Sequence, residues 1–235
     1  MRSIVVIGGG LVGITALREL EKRVPDAEIT LVEPREYLEV SFAMPRALME
    51  PAGLGKTMRA PYTSLTQAKH LRSPAQKIVA NEVVLEDGNK LPFDYAIVST
   101  GSFTKGAPFI KGHETHSIDD RLKELAARSG QLADSKNLLI VGGGPIGVEL
   151  AGEVADRYLN KKITLAHASD RLLPALPPKA GHKAAKKLRE LGVHVLLNTR
   201  VEEKNGKYLV QGSNESFGAD VVFFFQAEDG IRIYE

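Results

Sequence analysis

The chain has 235 residues, 43% apolar and 26% charged, with 31 Lys and Arg against 29 Asp and Glu. This is the composition of a globular protein of one large or two ordinary domains, and the near-balance of charge removes the electrostatic case for nucleic acid. There is no cysteine, which excludes thiolate zinc sites, disulfides and any electron relay through a dithiol pair. His113-x-x-His116 lacks further ligands at useful spacing, so no metal site is expected.

Met1-Arg2-Ser3 runs directly into the first apolar segment, which leaves no room for a signal or transit peptide, and Arg2 excludes N-myristoylation. No apolar run approaches the ~20 residues needed to cross a bilayer. The expected location is the cytoplasm.

Ile4 to Ile7 reads as a strand, and Gly8-Gly9-Gly10-Leu11-Val12-Gly13 follows it at once. In such a turn the first glycine lets the chain leave the strand tightly, the second lets backbone approach a pyrophosphate, and the third lets helix pack on strand. The helix N-terminus then supplies N–H groups and a positive dipole end. Leu11, Ile14, Leu17 and Leu20 form the helical stripe, Pro25-Asp26 ends it, and Ile29 to Val32 is the next strand. Glu33 ends that strand, where a carboxylate can accept hydrogen bonds from both ribose hydroxyls of an adenosine.

An irregular stretch from Phe42 to about Pro61 contains Arg46. Lys77 to Ala80, Glu82 to Leu85 and Lys90-Leu91, turning at Asp87-Gly88-Asn89, read as a small antiparallel excursion. Tyr95 to Ser99 reads as a buried strand ending in Thr100-Gly101, and the domain boundary is expected in the polar stretch 102–116.

The plan then repeats. Leu138 to Val141 leads into Gly142-Gly143-Gly144-Pro145-Ile146-Gly147, a helix to about Tyr158, a strand Ile163 to Ala166, a Pro-rich loop, a helix near Lys179 to Leu191, a strand Val193 to Leu197 and a hairpin turning at Asn205-Gly206. Ala219 to Phe223 corresponds to Phe93 to Ile97. Lys183, Lys186, Lys187 and Arg189 read as a solvated helix face. One Gly-x-Gly-x-x-Gly is a weak signal; two, each between a strand and a helix, imply two bound dinucleotides.

One difference between the copies is informative. The count that leads from Gly13 to Glu33 leads from Gly147 to His167, and Arg171 follows four residues on. A carboxylate there repels a 2′-phosphate and a histidine does not, so the second site is expected to take NADPH at least as readily as NADH. The alternative is that His167 only ends a strand and faces solvent.

Gly8 to Gly13 with Glu33, the run Glu82-Val-Val-Leu-Glu-Asp-Gly through Asp94-Tyr-Ala-Ile-Val-Ser-Thr-Gly101, and Val141 through Glu153 resemble the pyridine nucleotide-dependent flavin oxidoreductases, and within them the apoptosis-inducing-factor homologue or ferroptosis suppressor group. The resemblance covers residues 1 to about 223. It implies an α/β fold of two Rossmann-like dinucleotide-binding domains, three-layered, with parallel sheets and small antiparallel excursions, the second inserted in the first. Residues 1–105 would form an incomplete FAD-binding domain and 106–223 an NAD(P)H-binding domain.

The implied activity is hydride transfer from NAD(P)H to FAD and onward reduction of a quinone. Carried over by position, Gly8, Gly9, Gly10, Leu11, Val12 and Gly13 would receive the FAD pyrophosphate and Glu33 its ribose. Arg46 matches a family arginine that contacts FAD, its alternative being an exposed loop arginine. Ser73-Pro74 falls where family backbone meets the adenine, and Thr100-Gly101 lines the flavin site. Gly142, Gly144 and Gly147, with His167 and Arg171, would take NADPH or NADH. Glu149 and Glu153 lie near that cofactor in the resemblance, with solvated or capping roles as the alternative. No catalytic side chain is implied, because the cofactor carries the redox chemistry. Peripheral contact with membranes or lipid droplets is a further implication of the family.

At the C-terminus, Phe225-Gln226-Ala227 stands where a second Ser-Thr-Gly is expected, and Phe-Phe-Phe-Gln-Ala-Glu-Asp-Gly-Ile-Arg resembles translated adapter DNA. Residues 224–235 are therefore expected to be a non-native tail on a truncated frame, an unusual native ending being the alternative. Two other functional readings stay open at this point: a non-catalytic nucleotide-binding or redox-sensing module, and an inactive fragment of the oxidoreductase.

Overall fold

The structure, a computed structural model, describes residues 1–57, 59–102 and 115–225. Most of the stretch expected to hold the domain boundary, including His113, and residues 226–235 of the expected tail lie outside the described residues. The chain divides into two compact units, one of residues 1–43, 52–102 and 115–124, the other of 44–51 and 125–225.

The first unit is built on a parallel sheet of β1 (Ser3–Ile7), β2 (Glu28–Val32), β5 (Lys69–Leu71) and β9 (Tyr95–Val98), in the order β5-β2-β1-β9. Helix α1 (Leu11–Arg23) makes the crossover from β1 to β2. Because β1 and β2 are covered on both faces, their residues read as continuous apolar runs. Val6 and Leu31 pack with Ile14 and Leu17 of α1 on one side. Val5, Ile7 and Val32 pack on the other with Val83 and Leu85. Those last two belong to the antiparallel sheet of β6 (Ala75–Val79), β7 (Glu82–Leu85) and β8 (Lys90–Pro92), the excursion expected from sequence. Truncating a side chain as enclosed as Leu17 costs about 2–5 kcal/mol.

Two expectations are corrected here. Leu11 opens the helical stripe in sequence but is exposed, since it sits in the first turn of α1, ahead of the part that packs on the sheet. Tyr95 to Ser99 is not a buried strand: β9 pairs only with β1 among the described strands, and Tyr95 and Val98 are 57% and 61% exposed.

A two-stranded ladder of β3 (Tyr37–Glu39) and β4 (Arg59–Pro61), with the short helix α3 (Leu54–Thr57) just ahead of β4, completes the unit with the first turns of α4 (Ile118–Asp134). These are held together by a buried charge cluster. Glu39 accepts from Arg59 Nη2 at 2.6 Å and from Arg121 Nε at 2.9 Å, and Arg121 Nη1 donates to Glu124 at 2.7 Å. Helix α4 carries no glycine turn or long apolar run and is not anticipated from sequence.

The second unit repeats the plan. Its parallel sheet is β12-β11-β10-β16, from β10 (Asn137–Val141), β11 (Lys162–Ala166), β12 (His194–Leu196) and β16 (Val221–Phe224). Helices α5 (Pro145–Arg157) and α6 (Pro178–Glu190) pack against it. Leu139, Val141 and Ala166 on the other face meet Val201 and Tyr208 of the antiparallel β13 (Val201–Lys204), β14 (Lys207–Val210) and β15 (Ser216–Phe217). Asn205 and Gly206 both take positive φ, 52° and 72°, the conformation a two-residue hairpin turn requires. A short helix from earlier in the chain, α2 (Met44–Met49), packs on α5 within this unit.

The duplication extends to its fastenings. Asp94, just before β9, accepts from the Ser3 N–H and donates its own N–H to the Ser3 carbonyl. Asp220, just before β16, accepts from the N–H groups of Lys136 and Asn137 and donates to the Asn137 carbonyl. The expected correspondence of Phe93–Ile97 with Ala219–Phe223 is present residue for residue.

Candidate dinucleotide sites

In each unit the glycine turn leaves the carboxyl end of the central strand, between neighbours reached by connections running in opposite directions. That is the switch point at which open α/β sheets bind ligands. In the first unit the ends of all four parallel strands carry residues singled out from sequence: Gly8 after β1, Glu33 after β2, Pro74 three residues beyond β5, and Thr100-Gly101 after β9. Gly8 has φ +98°, and a Cβ there would lie 2.4 Å from the Ser99 carbonyl oxygen. A Cβ on Gly13 would lie 2.0 Å from the Gly8 oxygen. Gly10 differs from both, because among the described residues no atom beyond its own chain neighbours comes within 4 Å of where its Cβ would be. The second turn matches: Gly142 has φ +113°, a Cβ on Gly147 would lie 2.0 Å from the Gly142 oxygen, and Gly144 faces open space.

That pattern fits a pyrophosphate. Of the three motif glycines in each turn, two are needed for internal packing and one leaves room for a ligand against bare backbone. Helices α1 and α5 begin at Gly10 and Gly144 with no side-chain cap and no acidic residue in the first turn. Their N-terminal N–H groups and positive dipole ends are therefore not neutralised locally.

Glu33 is 4% exposed. Its Oε2 accepts from the Gly9 N–H at 2.8 Å and Arg35 Nη2 at 3.1 Å, and its Oε1 from Arg35 Nε at 2.8 Å and the Arg35 N–H at 3.2 Å. Burial alone raises the pKa of this carboxyl, but Arg35 and the Gly9 N–H outweigh it and hold the group below its ordinary value. A carboxylate offers about four lone-pair directions. All four are engaged, so a ribose hydroxyl reaches Glu33 only where Arg35 gives one up.

His167 occupies the equivalent place in the second turn. Its Nδ1 accepts from the Gly143 N–H at 3.1 Å, as Glu33 accepts from Gly9. The ring is therefore the neutral tautomer with its proton on Nε2. Nε2 is buried with no hydrogen-bond partner among the described residues, and burial pushes the pKa of the ring down. Arg171 lies in the loop that follows, half-buried, its guanidinium donating to the carbonyls of Pro174 and Leu176.

Arg46 lies on α2 in the second unit, and its Nη1 donates to Glu153 Oε2 of α5 at 2.8 Å. Glu149, one turn earlier on α5, has its pKa pushed up by partial burial and by Glu153.

Tyr62 and Arg35 are functional neighbours that sequence reading missed. Tyr62 is 1% exposed, and its hydroxyl donates to the Gly9 carbonyl at 2.8 Å. The available signal was Gly9 itself, a glycine at a position the motif leaves free. A Cβ there would lie 2.3 Å from the Tyr62 hydroxyl oxygen.

The family described as "Pyridine nucleotide-disulphide oxidoreductase" matches residues 2–226. Apoptosis-inducing factor homolog B of Dictyostelium discoideum is 32% identical over 208 residues, which cover 85% of this chain and 52% of that protein. Ferroptosis suppressor protein 1 of Xenopus tropicalis is 29% identical, covering 84% of this chain and 52% of its own length. The chain thus spans about half the length of these curated relatives. Among solved structures, a NAD-dependent persulfide reductase from A. fulgidus superimposes with a TM-score of 0.76 at 24% identity, covering 95% of this chain and 45% of that one. NDH2 from Plasmodium falciparum in complex with NADH gives 0.73 at 18% identity, covering 96% and 55%. These likenesses establish the α/β fold with two parallel sheets and small antiparallel ones.

Proposed function

The chain belongs to the pyridine nucleotide-disulphide oxidoreductase family, and from the geometry of its turns we propose that it is an FAD-dependent NAD(P)H oxidoreductase with a quinone-type acceptor. The observation that carries this reading is the pair of turns, each with two packed motif glycines and one, Gly10 or Gly144, facing open space at an uncapped helix N-terminus. FAD, when bound, supplies two-electron acceptance from a nicotinamide and release of electrons singly or in pairs. The chain's own residues bind and orient. Gly8, Gly10 and Gly13 receive the FAD pyrophosphate, Glu33 its ribose and Pro74 the adenine, Thr100-Gly101 lines the flavin site, and Arg46 is assigned to FAD by resemblance. Gly142, Gly144 and Gly147 receive the other. The absence of cysteine from these 235 residues separates this reading from the disulfide chemistry in the family's name.

His167 and Arg171 support a second turn that admits NADPH at least as readily as NADH. A neutral imidazole presents no charge against a 2′-phosphate, and the half-buried Arg171 guanidinium stands four residues away. Matched Michaelis constants for the two nucleotides test this, and a strong NADH preference sinks it. A quinone is a membrane-phase acceptor, so the reading includes peripheral contact with a membrane surface. Among the described residues no helix is long and apolar enough to cross one.

The deciding experiment is the visible spectrum of the purified chain with and without added FAD, then with NADPH under anaerobic conditions, and finally NADPH oxidation with and without a quinone. A flavin band that NADPH bleaches, with quinone-stimulated turnover, is the expected result. Nucleotide binding without turnover favours a non-catalytic module. A colourless chain that takes up no FAD overturns the flavin reading for these 235 residues.

A further inference from the structure

We propose that Tyr62 is a positioning residue of the first dinucleotide turn, fixing the Gly9–Gly10 peptide so that the Gly10 N–H is presented to the pyrophosphate. The proposal rests on reading that turn as the flavin site. Both polar backbone atoms of Gly9 are gripped by buried side chains: its N–H donates to Glu33 Oε2 at 2.8 Å, and its carbonyl accepts from the Tyr62 hydroxyl at 2.8 Å. A trans peptide is planar, so its C=O and the following N–H point in opposite directions. Holding the Gly9 carbonyl toward the buried Tyr62 therefore aims the Gly10 N–H the other way. Gly10 is also the residue whose missing side chain leaves open space.

The second turn provides the independent observation. There the Gly143 N–H donates to His167 Nδ1, and the Gly143 carbonyl accepts from the backbone N–H of Leu173 at 2.8 Å. The same two atoms of the same motif residue are held in both copies, by unrelated chemistry. A contact that merely filled space would have no reason to recur on the same carbonyl. In the first copy the donor comes from 53 residues away and is a side chain, so one substitution removes it.

Tyr62 is itself fixed. Its ring meets His70 edge-on at 5.0 Å, and His70 Nε2 lies 2.8 Å from the Glu33 carbonyl oxygen. Burial and the nearby Glu33 carboxylate push the phenol pKa upward, so the hydroxyl stays a donor throughout the working pH range.

The test is Tyr62→Phe in the whole chain, which keeps the ring and removes the donor. Two readouts are used: backbone hydrogen exchange of residues 8–13 and 142–147 without nucleotide, and dissociation constants for FAD and NADPH. Leaving one buried carbonyl unpaired is expected to speed exchange in 8–13 and weaken FAD binding by roughly five- to thirtyfold, with 142–147 and NADPH unchanged. Unchanged exchange in 8–13, an equal rise at both turns, or wild-type FAD affinity in the variant overturns the proposal. If the wild-type chain binds no FAD, the flavin reading fails separately, and exchange alone decides whether Tyr62 braces the turn.

A second pair of variants guards against a Tyr62→Phe chain that does not fold. Gly9→Ala drives a Cβ into the Tyr62 ring and is expected to disorder the turn, while Gly9→Ala with Tyr62→Ala relieves the clash. The double variant is expected to be no worse than Gly9→Ala alone. Simple additivity of the two losses contradicts the brace.

Discussion

Replacing Glu33 by Gln perturbs the first turn at its most connected atom group. The carboxylate takes four hydrogen bonds, one from Gly9 and three from Arg35, whereas a glutamine has one acceptor oxygen. Turned toward Gly9, the amide presents its NH2 to the Arg35 guanidinium; turned the other way, it presents NH2 to the Gly9 N–H. Either orientation sets a donor against a donor, which costs about 1–3 kcal/mol, and Arg35 loses its counter-ion. Breaking a fully buried pair by removing one partner costs about 3–5 kcal/mol. Here the Arg35 side chain keeps 21% of its exposure, so solvent screens part of the loss, and about 2–4 kcal/mol is expected at neutral pH.

The pH dependence separates this effect from loose packing. The Glu33 pKa lies below its ordinary 4.5, so the group contributes stability above that value and loses it as pH falls through the folded-state pKa. The variant has no such group. The gap between wild type and Glu33→Gln is therefore full at neutral pH, begins to narrow near the ordinary 4.5 and closes as pH falls through the lowered folded-state pKa. Urea unfolding followed by circular dichroism across that range measures it. A variant with the wild-type midpoint at neutral pH, or a gap that persists unchanged in acid, would show that the Arg35–Glu33–Gly9 arrangement does not hold the turn.

Three further outcomes follow from the same geometry. Glu39→Gln removes the carboxylate shared by two guanidinium groups with fully buried side chains and is expected to cost about 3–5 kcal/mol of stability in urea unfolding, whereas Glu124→Gln, at the partly exposed end of the cluster, costs about 1 kcal/mol or less. His167→Glu keeps an acceptor for the Gly143 N–H but adds a charge where a 2′-phosphate would lie, and it should raise the NADPH-to-NADH ratio of Michaelis constants by roughly ten- to a hundredfold; an unchanged ratio removes His167 from the specificity argument. Because burial lowers the His167 pKa below 6.5, the unfolded chain takes up the proton first, so this group's support is whole above 6.5 and declines as pH falls toward the folded-state value. Comparing wild type with His167→Gln through that window reads the decline, and parallel stability curves would refute it.

What could be read from sequence was what is local. The units β1-α1-β2 and β10-α5-β11 are legible because an apolar run, a glycine turn and a 3.6-residue stripe fall within some thirty consecutive residues, each confirming the next. Helix α4 was not legible, because its key anchor is a charge: Arg121 is buried against Glu39, 82 residues away, and no local pattern marks a buried arginine. Strand β5 escaped for a related reason, being three residues long with a lysine and a histidine among them. Glu33 was found at its strand end, but its occupation by Arg35 was not, since a count of residues locates a carboxylate without saying which of its lone pairs are free.

The two turns are alike in one part and chemically different in another. At the glycine turn they are equivalent: a packed first glycine, a middle glycine held at both N–H and carbonyl, and an open third position beginning a helix. At the strand end they diverge, because the acceptor that steadies the middle glycine is a carboxylate saturated by Arg35 in one copy and a neutral imidazole with a buried Nε2–H in the other. Bracing the turn demands only an acceptor at that position, and Glu and His both satisfy it. The choice between them is thus left to whatever lies beyond the turn, which in a dinucleotide is the adenosine ribose. A substitution there that preserves the acceptor should leave pyrophosphate binding intact and alter only what is tolerated on the ribose, and for that reason His167→Glu is a sharper probe of the second site than any change at its glycines.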